Sequence, residues 1–205
     1  MSDKFTTNAD KASYGIGLQM GEQLKANPFE GLNLNSVFEG MKDAYTGESF
    51  QVEIPEIQAA FEEINAEIQK RREEEAKVLA AEGEAFLAEN AKRAEVTVTE
   101  SGLQFEVIEQ GEGEKPTADS TVRTHYHGTL INGTTFDSSY ERGQPAEFPV
   151  GGVIRGWTEA LQMMPAGSKW RLYIPHDLAY GERGAGAAIA PYSTLIFDIE
   201  LLDIL

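Results

Sequence analysis

The sequence predicts an α+β protein: an all-helical N-terminal part, a long connecting helix, then an antiparallel β-sheet wrapped on one short helix. Three observations predict it. Glycine and proline number 7 and 2 up to residue 95 but 13 and 6 after it, where both tryptophans also lie. Apolar residues recur at helical spacing before that boundary and in short runs or alternation after it. Between Pro55 and Pro116 there is no proline, and Gly83 is the sole glycine before Gly102. That leaves room for a helix of roughly 35–38 residues, about 55 Å long at 1.5 Å per residue.

The first helix is expected over 9–26, with Tyr14, Leu18 and Gly21 along one face and Met20 and Leu24 beside it. Gly15, Gly17 and Gly21 each cost a helix about 1 kcal/mol relative to alanine, so their expected use is the close approach of another backbone. A second helix is expected over 35–46, capped by Asn35 or Ser36, burying Val37, Phe38, Met41 and Tyr45, and stopped by Gly47. Pro55 suits the first turn of a third helix. In that helix Ile57, Phe61, Ile64 and Ile68 form a stripe to be buried. The following Gln69–Glu75 run is polar all round and calls for water around it, helped by i,i+4 pairs such as Glu67–Arg71 and Lys70–Glu74. Apolar residues return at Val78, Leu79, Phe86 and Leu87, to face the second domain. A single core with a long surface helix is the alternative arrangement. About fifty residues of helix bury too little apolar area to stand alone, which favours self-association through residues 1–68.

Strands are expected at Thr97–Val98, Leu103–Ile108, Val122–Leu130, Lys169–Ile174 and Thr194–Leu202, with Asn132-Gly133 as a hairpin turn. One helix fits between them, Trp157–Met164, ended by Pro165 and Gly167. One helix over one antiparallel sheet makes an α+β domain.

Composition removes whole classes of function. The formal charge of −17 and pI near 4.5 are split almost evenly across the boundary, and such a surface repels nucleic-acid backbones and anionic membranes. With no cysteine there is no disulfide scaffold, thiolate metal site or cysteine nucleophile. No stretch reaches the ~20 apolar residues of a membrane span. The first ten residues lack the apolar segment of a secretory signal, so the expected compartment is the cytoplasm, ahead of the periplasm. His125 and His127 lie two apart on a strand, but no third metal ligand accompanies them. His176-Asp177 near Ser168 lacks a hydrolase elbow, and Gly181–Gly186 lacks the strand–helix context of a phosphate loop.

Five motifs carry a resemblance to a known family: Val122-Arg-Thr-His-Tyr-His-Gly128, Gly133-Thr-Thr-Phe-Asp-Ser-Ser139, Val153-Ile-Arg-Gly-Trp157, Ala179-Tyr-Gly181 and Thr194-Leu-Ile-Phe-Asp-Ile-Glu-Leu-Leu202. In order and spacing they resemble the FKBP-type peptidyl-prolyl cis-trans isomerases, over nearly all of 98–205. The helical extension, with Ser13-Tyr-Gly-Ile-Gly17, is similar to that of the macrophage-infectivity-potentiator-like bacterial subgroup. The resemblance implies a dimerisation domain over 1–54, a connecting helix over 55–93 and a catalytic domain over 94–205. It implies an isomerase of Xaa-Pro bonds in protein folding, without cofactor or metal. Its partners would be unfolded or partly folded chains, a second copy of itself, and macrolide inhibitors.

Residue by residue, the resemblance makes Tyr126, Asp137 and Tyr180 the catalytic groups: Asp137 a carboxylate at the pocket edge, Tyr180 a hydroxyl for a ligand carbonyl. Tyr126, Phe136 and Phe197 would be side walls, Val153 and Ile154 the lip, and Trp157 the floor. Ile154 would also offer its backbone N–H. Arg142 would orient Asp137 and Tyr126, Ile189 would lie over the bound ring, and Phe148 would pack beneath the wall. This chain departs from many relatives at Ala146, Ala185 and Ala190, changes expected to alter the rim and with it macrolide affinity and the preferred residue before proline.

The chemistry needs no nucleophile. An Xaa-Pro bond turns slowly because its amide loses resonance at a barrier of about 18–20 kcal/mol. A pocket that binds the twisted amide better than either planar form lowers that barrier. Twisting reduces charge separation in the amide, so apolar surroundings favour it. Taken singly, Phe136, Trp157 and Phe197 read as core residues, Asp137-Ser138-Ser139 as a turn, Tyr180-Gly181 as a loop anchor and Asp137–Arg142 as a surface pair worth under ~1 kcal/mol. Their joint appearance makes the pocket. The rival function is a non-catalytic folding chaperone or a proline-motif binding scaffold.

Overall fold

The computed structural model describes residues 4–26, 28–47 and 49–205. It divides into two compact units, residues 1–71 and 72–205.

The first unit holds α1 (Asn8–Ala26), α2 (Leu34–Thr46) and the opening turns of α3 (Ile54–Asn90). A reciprocal capping box starts α1: the Asp10 N–H donates to Thr7 Oγ1 at 3.1 Å, and the Thr7 N–H donates to Asp10 Oδ2 at 3.1 Å. The cap of α2 is Asn33, whose Oδ1 accepts from the N–H groups of Asn35 at 2.9 Å and Ser36 at 3.4 Å, so neither expected cap is used. Gly47 ends α2 as expected, in the left-handed conformation with φ 71°. Arg71 pairs with Glu30, in the turn ahead of α2, at 3.4 Å.

The apolar stripes depart from expectation. Phe38 is 58% exposed, Tyr45 93% and Phe61 56%; Met41 is exposed too, while Val37, Ile57, Ile64 and Ile68 are half-buried. The buried residue of α2 is Asp43, whose carboxylate accepts from Gln51 Nε2 at 2.9 Å. A groove of about 480 Å³ lies open on this unit, lined by Phe5, Tyr14, Leu18 and Phe38 among others. Around Gly15, Gly17 and Gly21 an added Cβ would meet nothing within 4 Å.

The second unit is built on an antiparallel sheet in the order β1-β2-β6-β7-β3-β4, with β5 also paired to β3. Its strands are β1 (Val96–Val98), β2 (Gln104–Glu109), β3 (Thr121–Leu130), β4 (Thr135–Ser138), β5 (Ala146–Pro149), β6 (Lys169–Ile174) and β7 (Leu195–Ile204). The expected five strands are present, β6 with the ends expected and the others shifted by one or two residues at one or both ends; β4 and β5 are four-residue additions that the alternation did not reveal. Gly133, with φ 85°, makes the β3–β4 turn. The short helix is α4 (Arg155–Met163), and Trp157, Ala160 and Leu161 on its buried face join Leu172, Ile174, Ile199 and Leu201 in the core.

The last turns of α3 pack within this second unit. Ala76 and Gly83 are buried and Leu79, Phe86 and Leu87 half-buried at helical spacing, whereas Val78 points outward, against expectation. Asn90 Nδ2 donates to Gln104 Oε1 at 2.9 Å, and Gln104 Nε2 donates to the Leu87 carbonyl at 2.9 Å, so the buried end of the helix is satisfied from β2. The following turn adds Arg93, which donates to Tyr173 Oη at 2.8 Å and pairs with Glu95 and Glu106.

Gly83 marks the closest approach. A Cβ there would lie 2.4 Å from Thr194 Oγ1 and 3.2 Å from Thr194 Cβ, at the entry to β7. Helix propensity favours Gly83→Ala by about 1 kcal/mol, while overpacking costs about 1–3 kcal/mol. We expect the overpacking to win. Urea unfolding followed by near-ultraviolet circular dichroism, to which both tryptophans contribute from this unit, should show a lower midpoint for Gly83→Ala; a higher one would mean that Thr194 turns aside freely.

Candidate active site

On β3 alternate side chains face α4, and Val122, Thr124, Tyr126 and Gly128 are the buried set. The glycine in that row decides the geometry. A Cβ at residue 128 would stand 2.7 Å from the Phe136 ring and 2.8 Å from the Phe197 ring. The bare position lets Phe136 of β4 and Phe197 of β7 meet edge to face, with centroids 5.3 Å apart and planes at 82°. Trp157, in the first turn of α4 and 4% exposed, stands edge-on to Tyr126 at 5.3 Å, to Phe197 at 5.2 Å and to Phe148 of β5 at 5.6 Å. Its indole Nε1 is buried and has no hydrogen-bond partner.

These rings enclose a pocket of about 470 Å³, partly open to solvent. Val153 and Ile154 border it where a 3₁₀ turn (Val150–Gly152) runs into α4. Tyr180, 40% exposed, borders it from the connection after β6, and Ile189 from the loop that follows. Of the eleven catalytic and binding residues that the resemblance assigns, Arg142 alone stays off the lining. Phe148 is part of the wall and not beneath it. Gly152, Ala185 and Ala188 complete the lining; only Ala185 was singled out, as a departure, because small side chains carry no chemical signal. Ala146, a departure expected to alter the rim, packs on the core opposite Thr124 and does not reach the lining. His125 lies on the other face of the sheet, stacked on Tyr140 at 4.6 Å.

The polar edge is a three-membered cluster. The Tyr126 hydroxyl donates to Asp137 Oδ2 at 2.6 Å and accepts from Arg142 Nη2 at 2.7 Å, while Arg142 Nη1 donates to Asp137 Oδ1. Asp137 comes from β4 and Arg142 from the loop beyond it, so the hairpin that carries Phe136 also carries the charges. Burial alone would raise the Asp137 carboxyl; the Tyr126 hydroxyl and the Arg142 guanidinium outweigh it and hold the group below its usual range. Burial and the hydrogen bond to Asp137 push the Tyr126 phenol up, against the pull of Arg142. At neutral pH the cluster is therefore phenol, carboxylate and guanidinium. Tyr126 and Arg142 occupy both carboxylate oxygens, leaving an ordered charge beside a ring-lined hollow. Such a site can grip a compact apolar ring and shield a bond next to it from water. Among the described residues no group of three or more His, Cys, Asp or Glu is placed to hold a metal ion.

Comparisons with known proteins agree across the chain. Residues 112–202 match the family model described as FKBP-type peptidyl-prolyl cis-trans isomerase, and residues 9–107 match the one described as the domain amino terminal to it. The chain is 54% identical over 201 residues to the FKBP-type 22 kDa peptidyl-prolyl cis-trans isomerase of Escherichia coli (strain K12), covering 98% of each. It is 41% identical to the outer membrane protein MIP of Legionella longbeachae, covering 97% of this chain and 87% of that one. The crystal structure of FkpA from Escherichia coli is similar with a TM-score of 0.71, 35% identity and 98% coverage of both chains.

The cluster gives a pH prediction. A carboxyl held low in the folded state adds stability above its unfolded pKa of about 4, and that stability is lost as pH falls through the folded value. Removing the guanidinium with Arg142→Leu should move the Asp137 titration upward, read from its side-chain carboxyl carbon by NMR. An unchanged midpoint would show that Arg142 does not set the charge of Asp137.

Proposed function

Because this chain belongs to the FKBP-type peptidyl-prolyl cis-trans isomerases, enzymes that speed Xaa-Pro isomerisation during protein folding, we propose that the prolyl bond turns in the pocket beneath Tyr126, Asp137 and Tyr180. The observation that carries this reading is the Tyr126–Asp137–Arg142 cluster at the edge of a hollow walled by Phe136, Phe148, Trp157 and Phe197. The proline ring sits among the aromatic edges. Tyr180 and the Ile154 backbone N–H hold the carbonyls of the chain on either side, so that one end of the bond is fixed while the other rotates. The dry pocket favours the twisted amide, whose charges are less separated, over both planar forms. Arg142 keeps Asp137 ionised and keeps Tyr126 pointing at it. Val153 and Ile189 close over the ring, and a macrolide that imitates the prolyl ring competes for the same space.

In a protease-coupled or NMR exchange assay on a Leu-Pro peptide, the whole chain should accelerate isomerisation. Asp137→Ala and Trp157→Leu should each lower kcat/KM by about tenfold, some 1.4 kcal/mol of transition-state stabilisation. Wild-type rates in both variants would place the chemistry elsewhere.

We further propose a division into a dimerisation domain over 1–54, a connecting helix over 55–93 and a catalytic domain over 94–205, the chain forming a homodimer through residues 1–68. The exposed Tyr14, Leu18, Phe38 and Phe61 support it, since apolar faces of that extent on a lone chain mark an interaction surface. So do the open helix faces at Gly15, Gly17 and Gly21. Two catalytic domains on one dimer raise the effective concentration at a client that has engaged one of them. The double variant Tyr14→Glu, Phe38→Glu should sediment as a monomer, keep wild-type activity on short peptides and refold a proline-limited protein more slowly. A dimer, or an unchanged refolding rate in a monomer, would overturn the arrangement. The compartment we propose is the cytoplasm, with the cell envelope as the alternative that fractionation by osmotic shock separates.

A further inference from the structure

Ile189 borders the pocket from a loop whose hold on the rest of the domain is unusual. The loop turns back on itself at its tip, where the Ala185 N–H donates to the Ile189 carbonyl at 2.8 Å and the Ile189 N–H to the Ala185 carbonyl at 3.1 Å. Its outgoing end is Pro191-Tyr192-Ser193. Tyr192 has φ 61°, the one described residue other than glycine in the left-handed region. An aromatic side chain is a poor occupant of that conformation, and it persists where surrounding contacts over-determine it. Two such contacts are present. The Tyr192 N–H donates to the Gly181 carbonyl at 2.8 Å, tying the outgoing end to the incoming one. The Tyr192 ring meets the His176 ring edge to face, with centroids 5.1 Å apart and planes at 71°. Burial and the neighbouring Glu182 carboxylate push its phenol above the ordinary value.

His176 opens the 3₁₀ turn (His176–Leu178) that leads directly to Tyr180. Its Nδ1 is buried and bonds to no group of the chain, while its ring face packs against Tyr192. The two rings thus join the segment carrying Tyr180 to the segment carrying Ile189, and both of these residues border the pocket. Neither His176 nor Tyr192 lines the pocket itself.

We propose that Tyr192 and His176 form a ring clasp that positions Ile189 and Tyr180 at the pocket mouth, and that this clasp sets how strongly the enzyme discriminates the residue flanking proline. The proposal rests on the pocket reading above. A proline ring that fills the aromatic hollow leaves its neighbours in the chain at the mouth, against Ile189, Tyr180, Ala185 and Ala188. A held loop offers those neighbours a fixed surface, and a loose loop adapts to any of them. The clasp therefore acts on selectivity before it acts on turnover.

The test uses the full-length protein and two peptides differing only before proline, Leu-Pro and Ala-Pro. Tyr192→Gly keeps the left-handed turn and removes the ring, and His176→Ala removes the other half of the clasp. Each should move the ratio of kcat/KM for the two peptides toward one by roughly threefold or more, a fraction of what a lost direct pocket contact is worth. Tyr192→Phe and His176→Phe keep both rings and should keep the wild-type ratio. In the two ring-deleting variants the Ala185 and Ile189 amides should also exchange hydrogen faster than in wild type. An unchanged ratio in His176→Ala, a loss in Tyr192→Phe as large as in Tyr192→Gly, or a wild-type ratio already near one overturns the clasp. Absence of turnover on both peptides by wild-type protein would overturn the pocket reading instead, so the two failures are distinguishable.

Discussion

The pocket depends on one empty position in β3. That strand is paired to three others, β4, β5 and β7, so any shift in it would carry Phe136, Phe148 and Phe197 along together. At Gly128 the absence of a side chain is what lets two phenyl rings close to edge-to-face distance above the sheet. The remaining wall follows from ordinary packing: α4 must bury Trp157, Ala160 and Leu161 on the same face, and doing so brings the indole up to those rings. Core and pocket are therefore one aromatic assembly. A residue such as Phe197, at 4% exposure, serves both.

The charged edge follows a different logic. An ion pair with both side chains more than 40% exposed has little intrinsic worth in water. Adding the Tyr126 hydroxyl as a third member changes its meaning, because the phenol is itself packed among the rings. Through it the position of a surface charge is coupled to the position of a wall. The proposed reading draws on this combination: an apolar hollow to lower the cost of a twisted amide, bordered by polar groups already committed to one another and needing little reorganisation when a chain enters.

The sequence made the site more legible than the helices. Large aromatic and charged residues announce themselves, and five motifs in fixed order placed them together; the small residues of the lining had nothing to announce. Ala146 stands where many relatives carry an aromatic residue; alternation along β5 turns it the same way as Phe148, and only the longer side chain reaches the opening. In the first unit, periodicity correctly grouped Phe38, Met41 and Tyr45 on one face but assigned a cover that the single chain does not provide. A hydrophobic period tells which residues share a face, and it is silent on what lies against them. The choice of Asn33 over Asn35 as cap is of the same kind, two asparagines in one turn and backbone geometry deciding between them. The contact of His176 with Tyr192 had no local signal at all, since it exists only once two loops have been brought together.

The indole nitrogen of Trp157 adds one more consequence. The N–H group lies inside the domain, away from bulk solvent and bonded to no group of the chain. Excited indole shifts its emission to longer wavelength when surrounding dipoles relax around it, and this one has apolar neighbours that relax little. The protein thus carries an optical probe at the heart of its own cavity, bluer than a solvated tryptophan and responsive to whatever comes to rest beside it, with no dye or label attached.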